Sequence, residues 1–233
     1  MTFKGLLMGA AAAAAISTGA QAADATQEEI ASKFDVAFGA AVTTQYVSRG
    51  ARQSDGFAVQ GYIEPSYDMF YAGIWASNIG PTVLGTTDTV EIDLYAGIRP
   101  TFGNLSLDLG YAHYLYNVSG TVGGEIYGKA SYAFNDTFTA GVELYQDVWN
   151  NQTYGVVNAE VALPYDFKLS AALGDNFTTG NVDWNAGIAY TFADTVTLDL
   201  RYHGTNGVSD PGFGDRIVAT LSLDSALSKL IRH

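Results

Sequence analysis

Polar and apolar residues alternate one by one along most of the chain after position 32. In residues 90–98 every second side chain is apolar or small, and Glu91 and Asp93 occupy alternate positions. Alternation with period two is typical of a β-strand whose two faces meet different surroundings. The pattern predicts twelve strands, at 34–48, 56–66, 69–78, 89–99, 104–116, 124–134, 137–147, 153–163, 167–174, 182–192, 195–204 and 214–224.

The lengths of these strands and of their connections indicate a membrane barrel. Strands of ordinary globular proteins average about five or six residues, whereas a tilted strand needs about 9–11 to cross a bilayer. Short turns are predicted at Tyr67-Asp68, Pro100–Gly103, Asn135-Asp136, Pro164–Asp166 and Ala193-Asp194, and longer loops at 49–55, 79–88, 117–123, 148–152, 175–181 and 205–213. This asymmetry is typical of outer-membrane barrels, whose turns are periplasmic. The predicted fold class is all-β: a transmembrane, antiparallel, up-and-down β-barrel of about twelve strands.

Aromatic residues recur at both ends of the predicted strands. Those near the short turns are Tyr67, Phe70, Phe102, Phe134, Phe138, Tyr165, Phe167 and Phe192, and those near the long loops are Tyr46, Phe57, Tyr114, Tyr116, Trp149, Tyr154, Trp184 and Tyr202. Two aromatic girdles flank the apolar band of outer-membrane barrels, so we expect both sets to face the two interfaces. A soluble β-sandwich, in which the aromatic rings fill a core, is the alternative.

The first residues read as an export signal. Lys4 precedes an apolar run at 6–16 that is too short for a membrane-spanning helix, and Ala20-Gln21-Ala22 forms a small-x-small cleavage site. An N-terminal anchor helix is the alternative. We expect a Sec-type signal peptide at 1–22, a periplasmic arm at 23–33, the transmembrane barrel at 34–224 and a periplasmic tail at 225–233. The expected location is the outer membrane of a Gram-negative bacterium.

Charged residues of the predicted strands occupy alternate positions and so fall almost entirely on one face of each strand, which we call one parity. In a membrane barrel that parity must face the interior, because the other meets lipid. The predicted pore-lining residues are Glu64, Glu91, Asp93, Asp108, Glu125, Lys129, Glu143, Glu160, Lys168, Asp183, Asp199 and Arg201. With Arg99 and Arg216 near strand ends, they comprise nine acids and five bases. If the pore is open, this acidic excess predicts a preference for cations. An interior filled by paired side chains, narrowed further by the arm 23–33, is the alternative.

Composition excludes several other functions. The chain has Lys+Arg 11 and Asp+Glu 24, and a net charge of -13 argues against binding of nucleic acid. A cysteine count of 0 excludes disulfides, thiolate metal sites and a cysteine nucleophile. No P-loop, Gly-x-Ser-x-Gly or His-Glu-x-x-His motif occurs. We therefore predict no enzyme, catalytic residue, metal or cofactor.

Two short elements carry a family resemblance. The clearest stretch of similarity covers residues 34–116 and includes Tyr46-Val-Ser-Arg-Gly50 and Gly73-Ile-Trp-Ala-Ser-Asn78. The pattern of repeated hairpins continues to about residue 223. In these the chain resembles the TorF-type porin family of proteobacteria. The resemblance implies an outer-membrane barrel with a transport role, and supplies no catalytic residue.

The predicted function is a porin for passive diffusion of small hydrophilic solutes or ions through a polar, net acidic lumen. One alternative is a closed-lumen barrel with a structural or surface-interaction role. Another is an outer-membrane lipase using His113 on the lipid-side parity and Ser119 in the following loop. Expected partners are outer-membrane lipid, small hydrophilic solutes or cations, and the outer-membrane assembly machinery, whose substrates commonly end in an aromatic residue. This chain ends in His233. Whether it forms a homo-oligomer stays open.

Overall fold

Strands follow one another along almost all of the chain that the computed structural model describes, residues 33–206 and 212–231. The predicted signal peptide, most of the predicted arm and the last two residues of the predicted tail lie outside these ranges. The long strands are β1 (Phe34–Thr43), β4 (Ala58–Tyr67), β5 (Phe70–Asn78), β6 (Val90–Ile98), β8 (Leu105–Tyr116), β9 (Gly120–Ala133), β10 (Phe138–Asp147), β11 (Gln152–Ala162), β12 (Phe167–Asn176), β13 (Asn181–Phe192), β14 (Val196–Thr205) and β15 (Arg216–Ala226).

Shorter elements occupy the connections. They are β2 (Val47–Ser48), β3 (Ala51–Arg52), β7 (Thr101–Phe102), α1 (Pro81–Leu84) and α2 (Leu227–Ile231). Within the described ranges, no helix has the length and apolar character needed to cross a membrane.

The twelve long strands close into an antiparallel barrel, which confirms the predicted fold class. Each long strand pairs with its predecessor and its successor, and β7 adds a two-residue extension that pairs with β8. The sheet closes where β1 pairs with β15, from Ala37 opposite Ala226 to Thr43 opposite Thr220. A closed sheet has no open edge, so every long strand finds partners on both sides.

One end of the barrel carries short turns and the other carries longer loops; we call these the turn end and the loop end. Three loop-end connections are long, at 44–57, 79–89 and 206–215. The others are shorter than predicted. The connection predicted at 117–123 is only 117–119, because β9 already begins at Gly120, which pairs with Tyr116 across a register irregularity. Glycine and polar residues therefore continue the ladder here instead of ending it.

The first predicted strand, 34–48, is wrong in its last residues. β1 ends at Thr43, whose hydroxyl donates to the carbonyl of Gln45 at 3.0 Å. After this point the chain forms the small hairpin β2–β3, which pairs within itself and is not part of the barrel sheet. At the other end, β15 continues to Ala226, and the Ser228 hydroxyl of α2 donates to Asp35 at 2.6 Å.

The two faces of the barrel differ in chemistry. Side chains with large apolar exposure point outward, such as Val142 (55%), Leu200 (51%) and Leu221 (50%). The buried side chains face the interior and form two clusters, one of Tyr46, Ala58, Trp75, Ile79 and Tyr116, the other of Ala112, Tyr114, Tyr127, Tyr145 and Tyr154. The apolar face thus lies outside and the tyrosines and charges lie inside, the reverse of a soluble core.

Candidate functional site: the barrel interior

The structure places all twelve predicted site residues on the inward parity of their strands. The decisive contacts join strands that are not neighbours, which is feasible only across the interior. The Tyr71 hydroxyl of β5 lies 2.7 Å from the Tyr127 hydroxyl of β9, and Arg201 of β14 donates to Ser170 of β12 at 2.8 Å. Five of the twelve are buried, namely Glu64, Glu91, Asp93, Glu125 and Asp183.

Toward the turn end, Arg99 holds two predicted acids together. Its guanidinium donates to Glu64 at 3.0 Å and to Asp108 at 3.3 Å. The same group lies 4.0 Å from the ring centre of Tyr71, whose hydroxyl donates to Asp108. A cation between two carboxylates and over an aromatic face has its charge satisfied from several sides.

The remaining turn-half acids also have basic neighbours. Arg201 donates to Asp199 at 2.9 Å and to Asn185 at 2.7 Å. Lys168 lies 3.0 Å from Glu160. On the middle of the wall, Lys129 stands opposite Glu143 in the β9–β10 register and over the rings of Tyr127 and Tyr145. Spacing along one strand predicts the Asp199–Arg201 pair, whereas the other two pairs depend on the register between strands.

The loop end holds a residue that the sequence analysis did not place in the site. Arg49, at the tip of the β2–β3 hairpin, donates to both oxygens of Glu125, at 2.6 and 2.7 Å. It also lies over the rings of Tyr145 and Tyr154, 4.8 and 4.4 Å from their centres. Burial alone would lower the pKa of Arg49, but the charge and hydrogen bonds of Glu125 raise it above its ordinary value. A loop has therefore folded into the interior.

We call residues 46–54 the plug. Its base is closed where the Gln53 N–H donates to the Tyr46 carbonyl at 2.8 Å and the Tyr46 N–H donates to the Ser54 hydroxyl at 2.8 Å. The Tyr46 ring packs edge-on against Trp75, with centroids 5.5 Å apart. Burial, then the charges of Glu91 and Asp93, raise the pKa of Tyr46 well above its ordinary value. The plug thus reaches the most acidic part of the interior.

Four members of the predicted outer girdle face the interior instead. Tyr46, Tyr114, Tyr116 and Tyr154 are buried, with exposures of 6% or less. Their hydroxyls meet acids: Tyr114 donates to Glu125 at 2.8 Å and Tyr154 donates to Asp183 at 2.9 Å. The girdle prediction is wrong for these residues because Tyr114 and Tyr116 share the parity of Asp108. By contrast, Phe57 (71%) and Trp149 (58%) are exposed.

Ser119 and His113, the residues of the lipase alternative, do not contact each other. The Ser119 hydroxyl donates to Asp88 at 2.5 Å, and the His113 Nε2 atom lies 3.1 Å from the Thr121 hydroxyl. Asp88 also accepts the Val118 N–H at 2.7 Å. Burial alone would raise the pKa of Asp88, but these hydrogen bonds, with that of Thr86, lower it well below its ordinary value. Ser119 therefore links the connections 79–89 and 117–119, and its hydroxyl meets the Asp88 carboxylate instead of His113.

The comparison with protein families decides the membership of the chain. The Gcw_chp model, described as a bacterial protein of unknown function, matches residues 27–229. This chain belongs to the Gcw_chp family. No curated protein matches it.

Solved structures similar to this Gcw_chp chain are porins. A KdgM porin aligns with a TM-score of 0.62 at 10% identity, covering 80% of this chain and 98% of that one. A NanC porin aligns with a TM-score of 0.54 at 10% identity, covering 81% and 97%. At this identity the likeness establishes the fold, which is the barrel of these porins. A second KdgM structure, with a TM-score of 0.60 and 8% identity over 81% and 98% of the two chains, is a complex with disordered oligogalacturonate.

Proposed function

We propose that this Gcw_chp chain is an outer-membrane porin of the TorF type, through which small hydrophilic solutes diffuse passively. The observation that carries the proposal is the inverted chemistry of the closed barrel, with ionised groups inside and apolar side chains outside. Hydrocarbon tolerates a sheet only when every backbone N–H and C=O is paired, and closure does this. An apolar outer face with a polar interior is the arrangement of transmembrane barrels.

The surface of the strands supports a membrane location in detail. Aromatic residues near the turn end point outward, among them Tyr67 (51%), Phe70 (57%) and Phe134 (57%). Exposed apolar surface of this extent is costly in water, about 25 cal/mol for each Å², and is compatible with lipid. Lipid and the outer-membrane assembly machinery are therefore the partners we propose, together with export by a Sec-type signal.

The lumen supports a passive and weakly cation-selective channel. Twelve strands lie between the eight that fill with side chains and the sixteen or more that leave a wide channel. In this proposal the predicted acids and bases line the space. Asp147 and Asp224 add two carboxylates to them, and Arg49 adds one base. The excess of carboxylates therefore persists and favours cations.

Liposome swelling tests the porin function. Purified protein in vesicles is exposed to a graded series of amino acids, monosaccharides and short oligosaccharides, with protein-free vesicles as the control. We expect swelling that slows as solute size increases, and a reversal potential in a salt gradient that shows cation preference. The function fails if no solute causes swelling, either with the natural chain or with a variant whose residues 47–52 are replaced by a Gly-Ser linker.

The plug favours one second candidate, a closed-lumen barrel with a structural or surface-interaction role. Arg49 extends into the loop-end interior to Glu125 and Tyr154, so a permanently seated plug would obstruct the path. Conductance decides between the two candidates, because the natural chain passes current if it is a porin and passes none if the plug closes the barrel permanently.

A further inference from the structure

The plug is built as a unit separate from the barrel sheet. Its strands pair with each other, Val47 with Arg52 and Ser48 with Ala51, and belong to a sheet of their own. Main-chain hydrogen bonds tie it to neighbouring loops, from Arg52 N–H to the Gly212 carbonyl and from Gly80 N–H to the Gln53 carbonyl, both at 2.7 Å. Because its strands are not part of the barrel sheet, displacing the plug would break these hydrogen bonds but none of the ladders between the twelve long strands.

The tip of the plug adopts a conformation that its surroundings must stabilise. Arg49 and Gly50 both have positive φ, 47° and 76°, as the two central residues of a type I′ hairpin turn require. Asparagine, aspartate or glycine usually occupies the first of these positions, because a longer L-residue is strained there. At Arg49 the strain is offset by the two hydrogen bonds to Glu125 and by the rings of Tyr145 and Tyr154.

Inward side chains are large on one side of the barrel and small on the other. Strands β5 to β11 carry inward aromatic rings, whereas inward side chains of β1 and β12 to β15 are mostly small: Ala37, Gly39, Ala41, Ser170, Ala172, Gly187, Ala189, Thr220 and Ser222. Because these small side chains reach less far inward than the rings opposite, we infer that the interior space lies along this wall. Arg201, Asp199 and Lys168 keep this wall polar.

The tip of the plug closes this wall at the loop end. A Cβ atom at Gly50 would lie 2.8 Å from the Asp183 Cβ and 3.2 Å from the Thr205 Cβ, so the tip touches β13 and β14. Its neighbour Arg49 reaches Glu125 on β9. Two consecutive residues therefore bridge the small wall and the aromatic wall.

We propose that the plug is the gate of the channel, and that solutes move along the small wall only when the Arg49–Glu125 pair separates and the tip withdraws. The gate rests on the porin function proposed above. Arg49 is then a gating residue: it closes the path without binding the solute.

A reversible disulfide cross-link tests the gate directly. The sequence has no cysteine of its own, so an introduced pair can form a disulfide only with each other. Ala51 and Phe213 form an antiparallel bridge between the plug and the last loop. Paired residues in antiparallel strands lie about 4.5–5.5 Å apart at Cα, within the range that a disulfide spans. The variant carries Ala51→Cys and Phe213→Cys; its matched control carries Thr101→Cys and Ser106→Cys, a pair at the turn end.

We expect the swelling rate of the oxidised plug variant to fall at least about tenfold and to recover with reductant, while the turn-end control is unchanged. Loosening the latch should do the opposite. Arg49→Ala and Glu125→Gln should each raise the swelling rate severalfold, whereas Asp68→Asn, in an exposed pair with Lys33 at the turn end, should leave it unchanged.

The outcomes separate the gate from the porin function. If vesicles swell equally with oxidised and reduced plug variants, the gate is wrong and the porin function stands. The gate is also wrong if Arg49→Ala and Glu125→Gln swell no faster than the natural chain. If no variant passes solute, including the one with residues 47–52 replaced by a linker, the porin function fails and the gate fails with it.

Discussion

The two halves of the barrel interior differ in how their charges are balanced. In the turn half, Glu64 and Asp108 share Arg99, Asp199 binds Arg201, and Glu160 binds Lys168. In the loop half, Glu91, Asp93, Glu125 and Asp183 are buried, and Arg49 forms an ion pair with Glu125. Three bases thus balance most acids of the turn half, where Asp224 accepts the Tyr62 hydroxyl instead, whereas the loop half is acidic and a basic loop residue enters it. The gate that we propose lies in the loop half.

The largest difference between the halves should appear when an acid is removed from each. Glu125→Ala leaves the Arg49 guanidinium buried without its partner, which should reduce the free energy of unfolding by roughly 3–5 kcal/mol if the plug stays seated. Glu160→Ala removes a half-exposed partner of Lys168 and should cost about 0–1 kcal/mol. Urea unfolding from lipid vesicles, followed by tryptophan fluorescence, measures both. Equal losses would show that the two halves hold their charges alike.

The outward face provides the next largest effect. Leu200 lies midway along β14 and is exposed, so Leu200→Arg should destabilise the barrel by roughly 2–4 kcal/mol in lipid. Val59, near the loop end of β4, is the matched control, and Val59→Arg should cost about 0–1 kcal/mol. The same unfolding assay applies. No dependence on position would contradict a hydrocarbon layer around the strands.

Two glycines with positive φ separate backbone strain from packing at the plug. Gly50→Ala and Gly103→Ala place a methyl group on backbones with φ of 76° and 59°, which costs about 1–2 kcal/mol in either case. The surroundings of Gly103 are open, whereas the Gly50 methyl group would press on Asp183 and Thr205. Gly50→Ala should therefore lose about 1 kcal/mol more. Equal losses would mean that the tip of the plug is not packed against the wall.

The smallest predicted effect is a pH dependence at the loop junction. Because hydrogen bonds from Ser119 and Thr86 lower the pKa of Asp88 in the folded state, its stabilisation is fully present above its unfolded pKa, about 4. It is lost as the pH falls toward the folded pKa. The difference in unfolding free energy between the natural chain and Asp88→Asn should shrink below about pH 4. A difference independent of pH would argue against a charged Asp88.

Alternation was sufficient to predict the barrel and the direction of its charges. Period two on strands such as β6 puts Glu91 and Asp93 on one side without any knowledge of pairing. The same alternation assigns Tyr114 and Tyr116 to the interior, but the girdle prediction placed them at the membrane interface instead. A signal for the interior tyrosines was therefore present in the sequence.

Alternation along the sequence could not predict the ion pairs between strands or the plug. A pair such as Arg99–Glu64 depends on register between strands far apart in sequence, and Arg49 lies in a loop without periodicity. The family resemblance includes the Tyr46–Gly50 element, but it assigns no role to this segment. Its Arg-Gly pair, at a position that demands two positive φ angles, is the one local sign of a tight hairpin.

Cysteine labelling along β14 tests the central claim, an interior that meets water and an exterior that meets lipid. Single cysteines at Leu198, Asp199, Leu200 and Arg201 in vesicle-embedded protein are exposed to a membrane-impermeant thiol reagent. We expect rapid reaction at Asp199→Cys and Arg201→Cys, and protection at Leu198→Cys and Leu200→Cys until detergent is added. Uniform reaction at all four positions, or reaction confined to the two leucine sites, would contradict the account.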